Sequence, residues 1–439
     1  MEFLRSLFYP KEIYNLIRYK MGGLTKVEQD SMSESLQTCY KYLNETGRSY
    51  APVIQAVEGE LRHVFCIFYV VLKAMDTVED DMTISLETKI PILKNFHNLL
   101  YQPDWRFMDS KKYSRQVLED FPTISREFRN LGVFYQEVIA NAVREVAFGM
   151  AEYLQKQIEF VQDLDKYCDY VSSSLTRSLS VIFSVSGLED PIVGEDKRLS
   201  NSFGQFLQKT NIIRDFLEDQ LNGQAFWPKE VWSKYGKNLS DFTKPENSVP
   251  AVQCLNELIT NALQYVPDVL LYLSRLRNQS TFKFCAVPLM MAIATLATCY
   301  NNPQVFQIKV KIRRGQAVTL MMDTTDMQAV EAITCQYVEE IYRKIPLTDP
   351  SSEQTRNILA TIRKFSIPNG STDSAKPGNW LLEYVYIPYL SAYNTHKRIT
   401  RTLTLRGKFI YYERRKSVGH ILGVFCSKLS TSMFYNQIV

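Results

Sequence analysis

Asp76, Glu79 and Asp80 form a DxxED stretch that recurs as Asp215, Glu218 and Asp219, 139 residues further on (215 − 76). Each stretch ends an apolar run, FYVVLKAM in the first case and FGQFLQKTNIIR in the second. Positions i, i+3 and i+4 share one helix face, so each stretch presents three carboxylates together. Like charges at that spacing repel, and the negative end of a helix macrodipole makes the placement worse. A single such cluster is explained by a solvated helix end; two call for a compensating cation. Oxygen-only donors favour Mg²⁺ or Mn²⁺ over zinc, and Mg²⁺ commonly joins carboxylates to a substrate phosphate. Arg48, Lys73 and Arg214 stand close by in the sequence, where they would take up charge on a departing diphosphate.

Other chemistries lack their residues. The chain has no HExxH, GxSxG, GxxxxGK[ST] or GxGxxG pattern, and its eight cysteines form no CxxC pair. Several cysteines lie in apolar runs such as FCIFYVV and LATCY, which predicts reduced, buried thiols. A net charge of +4 over 439 residues excludes a globally basic nucleic-acid binder.

The elements that must hold the two acidic stretches read as helices. Glycine and proline are scarce, at 17 each, and apolar residues recur at helical spacing through most of the first 346 positions. Thr83 and Ser85 can cap a new helix after the first stretch, and Asn222-Gly223 is a stop signal after the second. The expectation is an all-α domain over residues 1–346, followed by a linker and tail over 347–439. The apolar segment 285–300 is too short to span a bilayer on this reading. MEFLRSLFYPKEIYNL is not a convincing signal peptide, because charges interrupt its apolar segment.

Longer stretches carry a resemblance. GRSYAPVIQA, FYVVLKAMDTVEDD, YQPDWRFM, FPTISREFRNL, FLQKTNIIRDFLED, FWPKEVW, LSRLRNQSTFKFCAVP and VKIRRGQAVTLMMD closely resemble the squalene synthase (farnesyl-diphosphate farnesyltransferase) family, from Met1 to about Ile367. The resemblance implies the all-helical isoprenoid synthase fold, with both acidic stretches lining a central cavity. It implies head-to-head condensation of two farnesyl diphosphates to presqualene diphosphate, then NADPH-dependent reduction to squalene. Asp76, Glu79, Asp80, Asp215, Glu218 and Asp219 would hold magnesium, and Arg48, Lys73, Arg214 and Gln208 the diphosphates. Tyr170 in YCDYV matches the tyrosine of the first half-reaction, Phe282 and Phe284 match aromatics of the second, and Tyr69 matches another cavity position. Asn211, Lys311 and Arg313 match positions linked to the phosphates of NADPH. By the same resemblance the protein works as a monomer at the endoplasmic reticulum membrane, with its helical domain in the cytosol.

Three departures from the family pattern stand out. Lys73 replaces an arginine and loses its bidentate fork. A glycine-rich stretch after Tyr170 is replaced by SSSLTRS, with Ser173, Thr176 and Ser178 at glycine positions and Arg177 at an aliphatic one. Since 170, 174 and 177 share a helix face, Arg177 would either crowd the cavity or point to solvent or a carboxylate. Crowding would give a second outcome: a prenyl-diphosphate-binding relative without turnover, or one that stops at presqualene diphosphate. Finally, the tail does not resemble the family's membrane anchor. Its segment from Lys397 to Lys416 carries eight Lys/Arg and one Glu, a local +7 that leaves −3 for everything else. Such a stretch either binds an anionic membrane surface or stays solvated.

Overall fold

Helix is the only regular secondary structure among residues 9–21 and 32–365, the residues described by the computed structural model. The tail, with its basic segment, lies outside the described residues. The helices that frame the site are α1 (Pro10–Lys20), α2 (Leu61–Glu79), α3 (Val133–Tyr153), α4 (Val161–Cys168) and α5 (Ser174–Val185). They are followed by α6 (Lys197–Arg214), α7 (Phe216–Leu221), α8 (Gln279–Cys299), α9 (Arg314–Asp323) and α10 (Ser352–Phe365).

Helix starts follow side-chain chemistry. Asp196 accepts from the Leu199 N–H at the start of α6, and the Asn278 side-chain oxygen Oδ1 accepts from the Ser280 and Thr281 N–H groups at the start of α8. Ser85 caps the helix Leu86–Leu99 by accepting from the Thr88 N–H, and Gly223, at φ +73°, follows the stop at Leu221–Asn222, both as the sequence implies.

Two helices form the core. α6 packs against α5, α8 and the helices Ser248–Leu263 and Val266–Ser274. α8 is longer than the apolar segment at 285–300 implies: its 21 residues are long and apolar enough to cross a membrane, yet most of that surface is buried inside the protein. It is a core helix, covered on all sides, which explains its missing polar face. Packed helices also continue past position 346, where α10 buries Thr355, Leu359 and Ile362 against the helices Ser248–Leu263 and Val266–Ser274. No disulfide joins any of the seven cysteines among the described residues, and six of them are buried.

Between α4 and α5 the chain makes one π-helical turn, Asp169–Ser173. The turn packs directly on α6, where Gly204 makes room for it. A Cβ at Gly204 would lie 2.4 Å from the Ser173 Cα and 2.5 Å from its nitrogen, contacts with backbone that cannot rotate away. Gly204→Ala is therefore expected to lower unfolding stability by about 1–3 kcal/mol, the cost of overpacking a close helix contact. Urea denaturation with an unchanged m-value checks this.

Candidate functional site

α2 shows how the sequence builds one wall of the site. Val64, Phe65, Cys66, Ile67, Phe68, Val70, Val71, Ala74, Met75 and Val78 are all buried. Past Val64 this leaves Tyr69, Leu72, Lys73, Asp76, Glu79 and Asp80 as the stripe open to solvent. Burying such residues is worth about 1.5–3 kcal/mol each, so the packed side easily outweighs the repulsion along the carboxylate stripe. Asp76 and Glu79 occupy the last turn and Asp80 is the C-cap. Lys73 reaches Asp76 at 3.9 Å, and the Lys89 ammonium donates to the Glu79 carbonyl at 2.5 Å, satisfying one free helix-end acceptor. The neighbouring Asp81 plays a structural part. It is buried and accepts from the Thr83 N–H and hydroxyl, the Ser110 hydroxyl and the Lys111 N–H.

The second wall is α6 running into α7. Gln208, Asn211 and Asp215 lie at i, i+3 and i+7, on one partly exposed face. Asp215 sits at the junction of the two helices, so Glu218 and Asp219 fall in the first turn of α7. The macrodipole penalty argued from the sequence therefore applies to the first stretch only; in the second, two carboxylates meet a favourable helix end. Arg214 forks onto Asp215 through both its Nε and a terminal nitrogen, and Lys309 pairs with Glu218 at 2.8 Å.

The two acidic stretches lie within electrostatic reach of each other. Burial raises the Asp219 carboxyl to about 8, reinforced by Asp215, Glu218 and, from the opposite wall, Asp80. Burial together with Asp76 and Asp80 raises Glu79 to about 8, and Asp76 rises to about 6. Cations are crowded in the same way: burial and then Arg48 and Arg214 push the Lys311 ammonium down. Arg48 holds its place in the GRSY turn with φ at +44°, a left-handed conformation that disfavours a side chain. Carboxylates short of positive charge thus lie close to cations short of negative charge.

Tyr167 is the tyrosine between the walls. Burial raises its phenol well above the usual range, and Glu79, Asp219 and Asp76 add to the rise, so both acidic stretches act on it. Its ring stacks on Phe226 and tilts against Tyr153. Tyr170, the residue marked by the resemblance, faces away. It lies in the π turn, with its Cβ against Gly149, its ring edge-on to Phe148, and the Lys166 ammonium 5.4 Å above it. Tyr167 stands three residues before Tyr170 in the same YCDY segment.

The other expected residues divide. Tyr69 lies on the wet stripe of α2, within electrostatic reach of Asp76 and Arg48. Phe284 packs on Phe65 and Phe183, with ring centroids 4.9 and 5.9 Å away. Phe282 is buried about 200° around the same helix, so the two rings do not share a face. Arg313 is already paired: its guanidinium contacts the Glu12 carboxylate at 2.6–3.2 Å and stacks 3.8 Å over the Tyr9 ring. Arg177 takes the uncrowded course. It donates to Asp169 at 2.7 Å, Asn201 at 2.6 Å and Glu145 at 3.0 Å, and Asn201 lies on α6 fourteen residues before Asp215. Lys309, Tyr50 and Tyr167 were not singled out by sequence patterns; Tyr50 acts on Arg214.

Fold and site together define a helical protein of the isoprenoid-synthase class. The sequence matches the squalene/phytoene synthase family over residues 43–316. It is 63% identical to the squalene synthase of Homo sapiens over 373 residues, 84% of this chain and 89% of that one. It is 40% identical to the inactive squalene synthase 2 of Arabidopsis thaliana over 374 residues, 84% of this chain and 90% of that one. Among solved structures, the complex of TcSQS with the ligand E5700 superposes with a TM-score of 0.74 at 37% identity, covering 76% of this chain and 98% of that one. The chain belongs to the squalene/phytoene synthase family.

The raised carboxyls set a pH dependence. Their folded values of about 6, 8 and 8 lie above those of an unfolded chain, near 4, so between those limits the folded state holds the extra protons. Stability from these groups is fully present below about pH 4 and is lost as pH rises toward about 8. The melting temperature of protein treated with chelator is expected to fall between about pH 4 and 8, and Glu79→Gln with Asp219→Asn should flatten that fall.

Proposed function

We propose that this chain joins two molecules of farnesyl diphosphate head to head and converts the resulting presqualene diphosphate to squalene. The observation that carries the proposal is the pairing of two carboxylate walls with the crowded cations Arg48, Arg214 and Lys311. Such a site gains most from a ligand that brings a diphosphate and divalent cations at once. Among the described residues, no three acidic, His or Cys side chains converge tightly enough to enclose an ion. The donors fit Mg²⁺ held by a carboxylate or two from each wall and completed by substrate oxygens. Asp76, Glu79, Asp80, Asp215, Glu218 and Asp219 would hold it, and Mg²⁺ or Mn²⁺ there supplies Lewis-acid charge on the diphosphate.

Arg48, Lys73, Arg214 and Lys311 take up negative charge as the C–O bond of the first substrate breaks and diphosphate leaves with the electron pair. The allylic cation left behind is attacked by the π electrons of the second molecule, and loss of one proton closes the cyclopropane. Tyr167 is assigned to this step. Its phenol stays protonated at working pH, so its oxygen accepts the departing proton only while passing its own to a neighbouring carboxylate. The aromatic faces of Phe284, Phe65 and Phe183 steady the cation of the second half-reaction. NADPH supplies the hydride that ends the sequence, with Asn211 and Lys311 meeting its phosphates; Arg313 joins them only if it exchanges Glu12 for the ligand. The endoplasmic reticulum membrane, with the helical unit in the cytosol, is the proposed location, and the monomer the proposed form.

Arg177 favours full turnover over arrest, since its charge is taken up by Asp169 and Glu145. Purified protein with farnesyl diphosphate, Mg²⁺ and NADPH should yield squalene and diphosphate, and omission of NADPH should leave presqualene diphosphate. Presqualene diphosphate as the end product with NADPH present would support the arrested reading, and no Mg²⁺-dependent diphosphate release would refute both. Tyr167→Phe is expected to lower kcat about 100-fold or more, the usual scale for losing a positioned proton-transfer group. Tyr170→Phe should stay within about threefold of the parent, as expected away from the reacting atoms.

A further inference from the structure

Helix α1 keeps Ile13, Leu16 and Tyr19 half-buried but buries polar groups most deeply and leaves an apolar stripe outside. Glu12 and Asn15 face the protein and are only 7% and 4% exposed, while Tyr14, Ile17 and Met21 are 63%, 53% and 83% exposed. A surface helix of a globular protein ordinarily does the opposite. The cause is visible at its contact with α9. Glu12 is bound to Arg313, Asn15 donates to the Thr319 hydroxyl at 3.1 Å, and Lys11 reaches Asp323 at 2.6 Å. Gly315 lets the two helices lie flush, since a Cβ there would come within 2.6 Å of the Glu12 Cβ. Polar groups thus fix the inner face, and the apolar residues at 14, 17 and 21 can only line up outside, on one stripe at i, i+3 and i+7.

We propose that this outer stripe is a docking surface for an anionic lipid bilayer. The exposed side of α1 carries the cation Arg18 and Lys11, which is paired with Asp323 yet largely exposed, whereas the helix's one acidic residue, Glu12, is buried and paired with Arg313. Arg18 has no acidic partner among the described residues within ion-pair distance. At 100° per residue Arg18 falls about 60° from the centre of the apolar stripe, where a cation reaches headgroup phosphates while the stripe enters the acyl boundary. Apolar stripe and flanking cations together are the recognition chemistry of an interfacial helix, and anionic headgroups are its complement. The α1–α9 contact orients this surface on the rigid helical unit, so docking would fix that unit's attitude to the bilayer. The inference uses no feature of the reaction, and it is separate from any lipid contact made by the tail.

The test uses the full chain with Cys335→Ser and Cys426→Ser, carrying an environment-sensitive fluorophore on Met21→Cys. Vesicles of phosphatidylcholine with about 30 mol % phosphatidylserine should shift the emission to the blue, and phosphatidylcholine alone should do so far less. Ile17→Ser with Arg18→Gln, both at exposed positions, should weaken the half-saturating lipid concentration about tenfold. Squalene formation in detergent should not change, which separates this outcome from failure of the proposed function. No shift with anionic vesicles would overturn the proposal. So would a shift without lipid that grows with protein concentration, which marks a second copy on the stripe. A lipid-free shift that disappears on removing residues 366–439 would overturn it too, by making the chain's own tail the occupant.

Discussion

Charge crowding is the constraint on which the rest of this structure depends. Asp76, Glu79 and Asp80 on one wall and Asp215, Glu218 and Asp219 on the other are held where they repel, and Arg48, Arg214 and Lys311 are held together a short distance away. None of these groups would choose the arrangement. It persists because α2 and α6 are committed to the core by their other faces, and α6 packs against the largely apolar α8. Helix packing thus stores an electrostatic imbalance, and a ligand carrying opposite charges in fixed proportion relieves it. Water relieves it less well, since each carboxylate would still face its neighbours.

The replaced glycine stretch shows how a polar substitution can be absorbed. The Ser173 hydroxyl donates to the Asn201 carbonyl and the Thr176 hydroxyl to the Ser200 carbonyl, so side chains added beside α6 find acceptors on α6 itself. The Ser174 and Ser180 hydroxyls donate back to carbonyls one turn earlier in their own segment. Polar atoms that would be costly if unpaired are paired locally. Close approach is kept by a glycine on the facing helix, Gly204, in place of glycines in the stretch. Arg177 is held by carboxylates from two different segments, Glu145 on α3 and Asp169 in the π turn, which accounts for its direction.

The acidic walls were legible in the sequence because local spacing alone determines which side chains share a helix face. The same logic recovered the all-helical fold, the cap at Ser85 and the stop at Gly223. It failed where geometry departs from one period or depends on distant partners. A π turn begins right after Cys168, so a single α period extrapolated past it misplaces side chains, whereas Tyr170 is named from the family resemblance and not from local geometry. Lys309 comes from a segment without helical pattern, and its pairing with Glu218 has no local signature. The apolar segment 285–300 understated α8 because its first turn is polar, although most of the helix is buried.

The clasp between Glu12 and Arg313 joins positions 301 residues apart. During synthesis at about 5–20 residues per second, the amino-terminal helix waits roughly 15–60 s for its partner to be made. Its inward side cannot be satisfied by any nearer segment, so α1 is among the first segments made and among the last to be secured. Contacts of such separation also slow folding, because a long loop must close before they form. The order of assembly is thereby built into the chain: the core around α6 and α8 forms without the beginning of the sequence, which is fastened over it at the end.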